Sequence, residues 1–308
     1  MAALPKIKLK AEIPESLKAE TATTKWGKVL SVTPVAMTVI ATMLAGLSSS
    51  EMTRAQYERS LAAQRQSKAG DQWSFFQAKR LRSTVLRSTV DGFIVSTGIR
   101  PLDVNNLPAP KGVDSAVVQV ATTALRDGIV PKAPAVIFTP AVKAALAALE
   151  EAKPEAEVLA LIATVPSEVL DQALRDAQTN ALAFDAQLKP VSQVIDAWEK
   201  QLATADPALR RDFVAARMNY NAQRYDAEAR ANQVVASVYE LQVRSSNIAA
   251  ERHHRRSGRF FYGMLAAQVA VIVSTFAMAA QQRNLLWSIA AVAGLVAVAF
   301  TLYVLVYV

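Results

Sequence analysis

Apolar side chains crowd into three uninterrupted runs, one near the start of the chain and two at its end. The long stretch between them alternates apolar and polar positions at helical spacing. The first run, VLSVTPVAMTVIATMLAGL over 29–47, carries no charge and at about 1.5 Å of rise per residue is long enough for one bilayer crossing. Pro34, near its start, predicts a kink or an early turn. Its length, and the lack of a small-x-small site at its end, argue against a cleaved leader. The second run, 260–280, opens on Phe260, Phe261 and Tyr262, placed as an interfacial aromatic anchor. The link QQRN leads to the third run, 285–308, so the last two spans form a helical hairpin. Three spans put the termini on opposite sides of a membrane.

The stretch between the runs divides by its punctuation. Residues 51–90 hold no Pro and one Gly, Gly70, which predicts a long stalk helix over 48–90 continuing the first span. Pro and Gly then recur from Gly92 to Pro166, and 91–205 reads as a separate insertion of short helices and turns. The helical pattern resumes near Ser167, pauses at Lys189 and Pro190, and restarts after Asp206. There an N-cap Asp followed by Pro207 at the first helical position starts a return stalk helix over 206–259. Every seventh residue of that helix falls on one stripe: Phe213, Tyr220, Ala227, Val234, Leu241 and Ile248. Such a narrow seam suits an antiparallel partner in the same chain or in a neighbouring subunit. The pattern predicts an all-α integral membrane protein with a coiled-coil-like stalk.

The first stalk helix carries GDQWSFFQAKRLR over 70–82. Trp73, Phe76 and Arg80 share one helical face, with Phe75, Lys79 and Arg82 on a neighbouring one. On a straight helix Trp73 stands about 39 Å past Leu47, too far for an interfacial belt. Its expected place is a packing seam at the level of Val234 to Leu241, with Asp71, Gln72, Gln77 and Lys79 making polar contacts across it. Recognition of a partner by the same residues is the second reading, because Trp, Phe and Arg favour interfaces.

Charge and chemistry narrow the function. The net charge of +8 gathers in a basic amphipathic tail over 1–28 and in ERHHRRSGR over 251–259, each abutting an apolar run. Arg252, His253, His254, Arg255, Arg256 and Arg259 are therefore expected to meet anionic lipid headgroups, and nucleic acid is not expected as a partner. The chain has no Cys, which excludes disulfides, thiolate catalysis and Cys-ligated metals. His253 and His254 are adjacent and point about 100° apart on a helix, which makes no two-ligand metal site. Neither a phosphate loop, a nucleophile elbow nor an acid pair is present, so no enzymatic activity and no cofactor are expected. The spans lack Asp, Glu, Lys and Arg, which argues against transport by this chain. Gln268, with Ser274 and Thr275, is the candidate for bonds between spans.

A short tail, one span, a DQWxxxQAK helix, a return helix ending in RHHR, and a terminal hairpin with a Trp after its link together resemble the bacterial membrane proteins of domain-of-unknown-function family 4337. The residues that carry the resemblance are Asp71, Gln72, Trp73, Gln77, Ala78, Lys79, Arg252, His253, His254, Arg255 and Trp287. It covers roughly 20–90 and 210–308, leaving 91–205 as an insertion. It implies an integral membrane protein of undetermined biochemical role and no reaction; the expected location is the bacterial inner membrane. Six Lys in the tail and Arg283 in the hairpin link favour a cytoplasmic tail and a periplasmic helical domain, against eight Arg that lie along the long segment. The expected role is a structural or accessory element, self-associating or bound to a larger membrane complex. The rival is a lipid or small hydrophobic-ligand protein that uses the 91–205 helices as a pocket.

Overall fold

The computed structural model describes residues 25–108, 112–279 and 283–307, and every regular element among them is helical. The basic tail before Lys25 and most of the hairpin link lie outside the described residues. Seven α-helices follow in order: α1 (Lys25–Thr97), α2 (Ser115–Asp127), α3 (Pro140–Glu150), α4 (Glu155–Ala163), α5 (Ser167–Gln201), α6 (Pro207–Ala279) and α7 (Arg283–Tyr307). Three of them, α1, α6 and α7, contain stretches long and apolar enough to cross a membrane. The chain divides into two compact units, 1–58 with 249–308, and 59–248.

Neither of two prolines expected to punctuate the chain ends a helix. Pro34 lies inside α1 and Pro190 inside α5. A mid-helix proline removes one backbone bond and costs about 3 kcal/mol. Around Pro190 the burial of Leu188, Val191, Val194, Ile195 and Trp198 outweighs that loss. Asp206 caps α6 as the sequence suggests, accepting from the Leu209 amide at 3.2 Å, and Asp114 caps α2 by accepting from the Ala116 amide at 3.0 Å.

In the unit formed by 59–248 two cores are built around α6. Phe213 and Tyr220 join Leu125, Ile195, Trp198 and Leu202, and the Trp198 indole donates to the Pro108 carbonyl at 2.8 Å. Leu241 packs with Val142, Val158, Ile162 and Leu170, and Ile248 lies against the same cluster. The seven-residue stripe of α6 is thus the face on which the middle helices pack, and the 35-residue α5 runs antiparallel along it, with Ile195 and Trp198 at the level of Phe213 and Tyr220 and Leu170 and Ala173 at the level of Leu241. Its large side chains can fill the gaps between several short helices.

A second, small-residue face explains how α6 meets α1. Ala222, Ala229, Ala236 and Val243 are buried at seven-residue spacing on α6, and Ala62, Ala69 and Ser83 at the same register on α1. Ala69 packs beside Val235 and Tyr239. In this unit α1 residues bond to α6 partners whose numbers fall as their own rise. Arg65 reaches Ser246 at 2.8 Å, the Trp73 indole reaches Glu240 at 2.7 Å, Lys79 reaches Glu228 at 3.1 Å, Arg80 pairs with Asp226, and Arg87 reaches Gln223 at 3.3 Å.

The unit formed by 1–58 and 249–308 repeats the small-residue logic in a three-helix core. Ala41 and Leu44 of α1, Phe260 and Ala267 of α6, and Ala297 and Val304 of α7 pack together. Two glycines make room for side chains of α1. A Cβ on Gly263 would meet Leu44 at 3.5 Å, and one on Gly294 would meet the Met37 thioether at 2.9 Å. Large apolar side chains such as Val35, Met43, Leu265, Phe276 and Leu295 face outward, a distribution compatible with a lipid or protein environment around this unit.

Candidate functional site

Within the smaller unit the polar boundary of the apolar runs is built by Ser48, Glu51, His253 and Ser257. Ser48 donates to the Ser257 carbonyl at 3.0 Å, and Ser257 donates back to the Ser48 carbonyl at 2.8 Å. One turn further on, the Glu51 carboxylate is 8% exposed and lies 2.6 Å from His253 Nδ1, 3.5 Å from Arg54 and 4.0 Å from Arg256. A buried carboxylate demands such company. His253 and Arg256 are therefore half-buried on Glu51, and Arg259 lies over the Tyr303 ring at 5.6 Å. Only Arg252, His254 and Arg255 of the expected headgroup set are exposed. The arginine-rich patch is partly an internal counter-charge, which sequence reasoning missed because Glu51 is 202 residues away from His253.

Gln268 is not between spans. It is exposed, one step off the buried row of Gly263, Ala267, Ala270, Ser274 and Ala277. That row is too close-packed to admit an amide side chain. Ser274 and Thr275 both turn back to the Val271 carbonyl of their own helix, at 2.9 and 2.8 Å.

In the larger unit the aromatic stretch of α1 divides by helical angle. Trp73, Phe76 and Lys79 are half-buried, with the Trp73 and Phe76 rings edge-to-face at 5.4 Å. Phe75 is 55% exposed and Gln77 is exposed as well. Both were expected in the seam, but each turns away from the buried row that contains Ala69 and Ser83. On α6, Phe213, Tyr220 and Leu241 are buried, and Val234 and Ile248 half-buried. Burial pushes the pKa of the Tyr220 hydroxyl up.

This unit also holds a groove of about 820 Å³. Its floor is α6, with Gln223, Asp226 and Arg230 along one edge and Ala227, Ala231 and Val234 along the other. Its wall is the non-helical segment 128–139, which begins where Gly128 takes φ +67 to end α2. Asn180 of α5 pins that segment by donating to the Pro134 carbonyl at 2.6 Å. Asp226 is 3% exposed and is shared by three guanidinium groups: Arg80 and Arg230 bond to it, and Arg87 stands 3.9 Å away. Burial pushes its carboxyl up, but bonds from Arg230 and Arg80 and their charges more than offset this, holding it below the ordinary carboxylate range. Among the described residues no group of three or more His, Asp or Glu side chains is placed to hold a metal.

All regular elements among the described residues are helical, and three of the helices are long and apolar enough to cross a membrane, which is compatible with a membrane protein. Residues 26–106 match the model of the family described as Domain of unknown function (DUF4337). The matched stretch covers most of α1 and contains Asp71, Gln72, Trp73, Gln77, Ala78 and Lys79, and it extends past the end of the expected stalk helix. Arg252, His253, His254, Arg255 and Trp287 lie beyond it. None of the curated proteins and none of the solved structures compared matches the chain.

Proposed function

We propose that the protein is a membrane-anchored, non-enzymatic scaffold or accessory subunit: an antiparallel, coiled-coil-like stalk of α1 and α6, held by three spans and carrying the 91–205 helices as an insertion on its flank. The observation that carries this reading is the polar ladder from Arg65–Ser246 to Arg87–Gln223, which ties the two long helices at successive levels. A ladder of this kind fixes register. The outward Phe75, Leu81, Val85 and Val95 leave a face for a second copy or a subunit of a larger membrane complex. The setting we infer is a bacterial inner membrane, with the tail cytoplasmic and the helical domain periplasmic. Affinity purification of the full chain in mild detergent tests the role. A stoichiometric companion, or a second copy, supports it; a lone monomer contradicts it.

A second reading, handling of lipid or another small hydrophobic ligand, is favoured by the groove beside 128–139, whose volume of about 820 Å³ lies in the range of ligand pockets.

A further inference from the structure

We infer that the groove between α6 and segment 128–139 binds a single-chain amphiphile with an anionic head, such as a long-chain carboxylate; this rests on the second, ligand-handling reading. The polarity of the floor carries the argument. Gln223, Asp226 and Arg230 line one edge of α6 and Ala227, Ala231 and Val234 the other, over a length of about 16 Å at helical rise. The facing wall adds aliphatic side chains from Val130 and Val136, with Phe138 as the single aromatic ring in the lining. A flat ring system finds no stack of rings there, whereas an acyl chain finds a continuous aliphatic strip.

The head group is specified by charge. Arg230, which lines the groove, shares the one carboxylate of Asp226 with Arg80 and Arg87 of α1, so two of the three charges gathered beside the polar edge are uncompensated. Lys132 adds another positive charge on the rim, and the rim acid, Asp127, is already paired with Arg126 at 2.9 Å. The three arginine side chains are 47–73% exposed, so an incoming anion can share their donors without first being buried. A carboxylate or phosphate head bonds to guanidinium in the planar, two-pronged way that these groups favour. Asp226 keeps the arginines in place, and the ligand's head supplies the second anion.

The test is photolabelling of the full chain in lipid nanodiscs with a photoactivatable long-chain fatty acid, its methyl ester as the neutral control, and peptide mapping by mass spectrometry. The acid is expected to label peptides covering 128–138 and 223–234 and to be displaced by unlabelled fatty acid. Arg230→Glu is expected to lower that labelling about tenfold or more, the size of one lost charge-assisted bond. Ala231→Trp, which fills the apolar edge, is expected to abolish it, with circular dichroism of both variants confirming intact helix content. Equal labelling by acid and ester, insensitive to Arg230→Glu, overturns the anionic assignment while leaving an apolar ligand groove. Labelling of the spans alone by both probes overturns the groove as a ligand site altogether.

Discussion

Ser48 and Ser257 each donate a hydroxyl to the other's backbone carbonyl, at 3.0 and 2.8 Å, across 209 residues of sequence. The exchange requires two helices so close that each side chain reaches the opposite backbone, and both serines are buried. With no native cysteine in the chain, the pair is a clean reporter. Ser48→Cys with Ser257→Cys is expected to form an intrachain disulfide on mild oxidation, seen as a mobility shift at monomer mass on a non-reducing gel. Either single variant should give none. A disulfide that joins only two copies contradicts pairing within the chain.

Close packing also governs Gly263 and Gly294 in the three-helix core of the smaller unit. A Cβ on Gly263 makes ordinary contact with Leu44, whereas one on Gly294 runs into Met37 at 2.9 Å. Gly263→Ala should therefore be tolerated and Gly294→Leu should cost about 1–3 kcal/mol through overpacking. Thermal unfolding in detergent separates them: Gly294→Leu melts earlier and Gly263→Ala does not.

Acid should loosen the larger unit through Asp226. Its pKa is lowered on folding, so the unfolded chain binds the proton more readily than the folded one. The stabilisation is complete above the unfolded value of about 3.9 and is lost as pH falls from there through the lower folded value. Asp226→Asn removes that dependence. It is expected to cost about 1–3 kcal/mol at neutral pH, because Arg80 and Arg230 lose their charged partner. Urea titrations at pH 7 and pH 3 read both effects: the gap between the wild-type midpoints at the two pH values should shrink in the variant.

The helices were legible from the apolar runs and from the proline-free stretches, and the family resemblance from the DQWxxxQAK residues, which lie in the matched segment. Trp73 finds Glu240, inside the level expected for it, because helix rise is a fixed ruler. The α1–α6 interface was not legible. Its rows are alanines, serines and charged residues such as Glu51, Arg65 and Lys79, which leave no apolar heptad to see. The conspicuous stripe of Phe213, Tyr220 and Leu241 belongs to the middle helices instead. Phe75 shows the limit of composition: an aromatic neighbour of the seam is still about 100° round the helix from Phe76 and faces outward. The groove escaped notice because a Gly turn, a proline segment and a distant Asp226 combine only in three dimensions.

Chemical cross-linking of the protein in its native membranes, followed by mass spectrometry, tests the paired stalk and its partnership together. Cross-links are expected between α1 and α6 within one chain, with rising positions on one pairing with falling positions on the other, together with cross-links to a second copy or another membrane protein. A strictly monomeric species, with no α1–α6 cross-links and no partner, would contradict both.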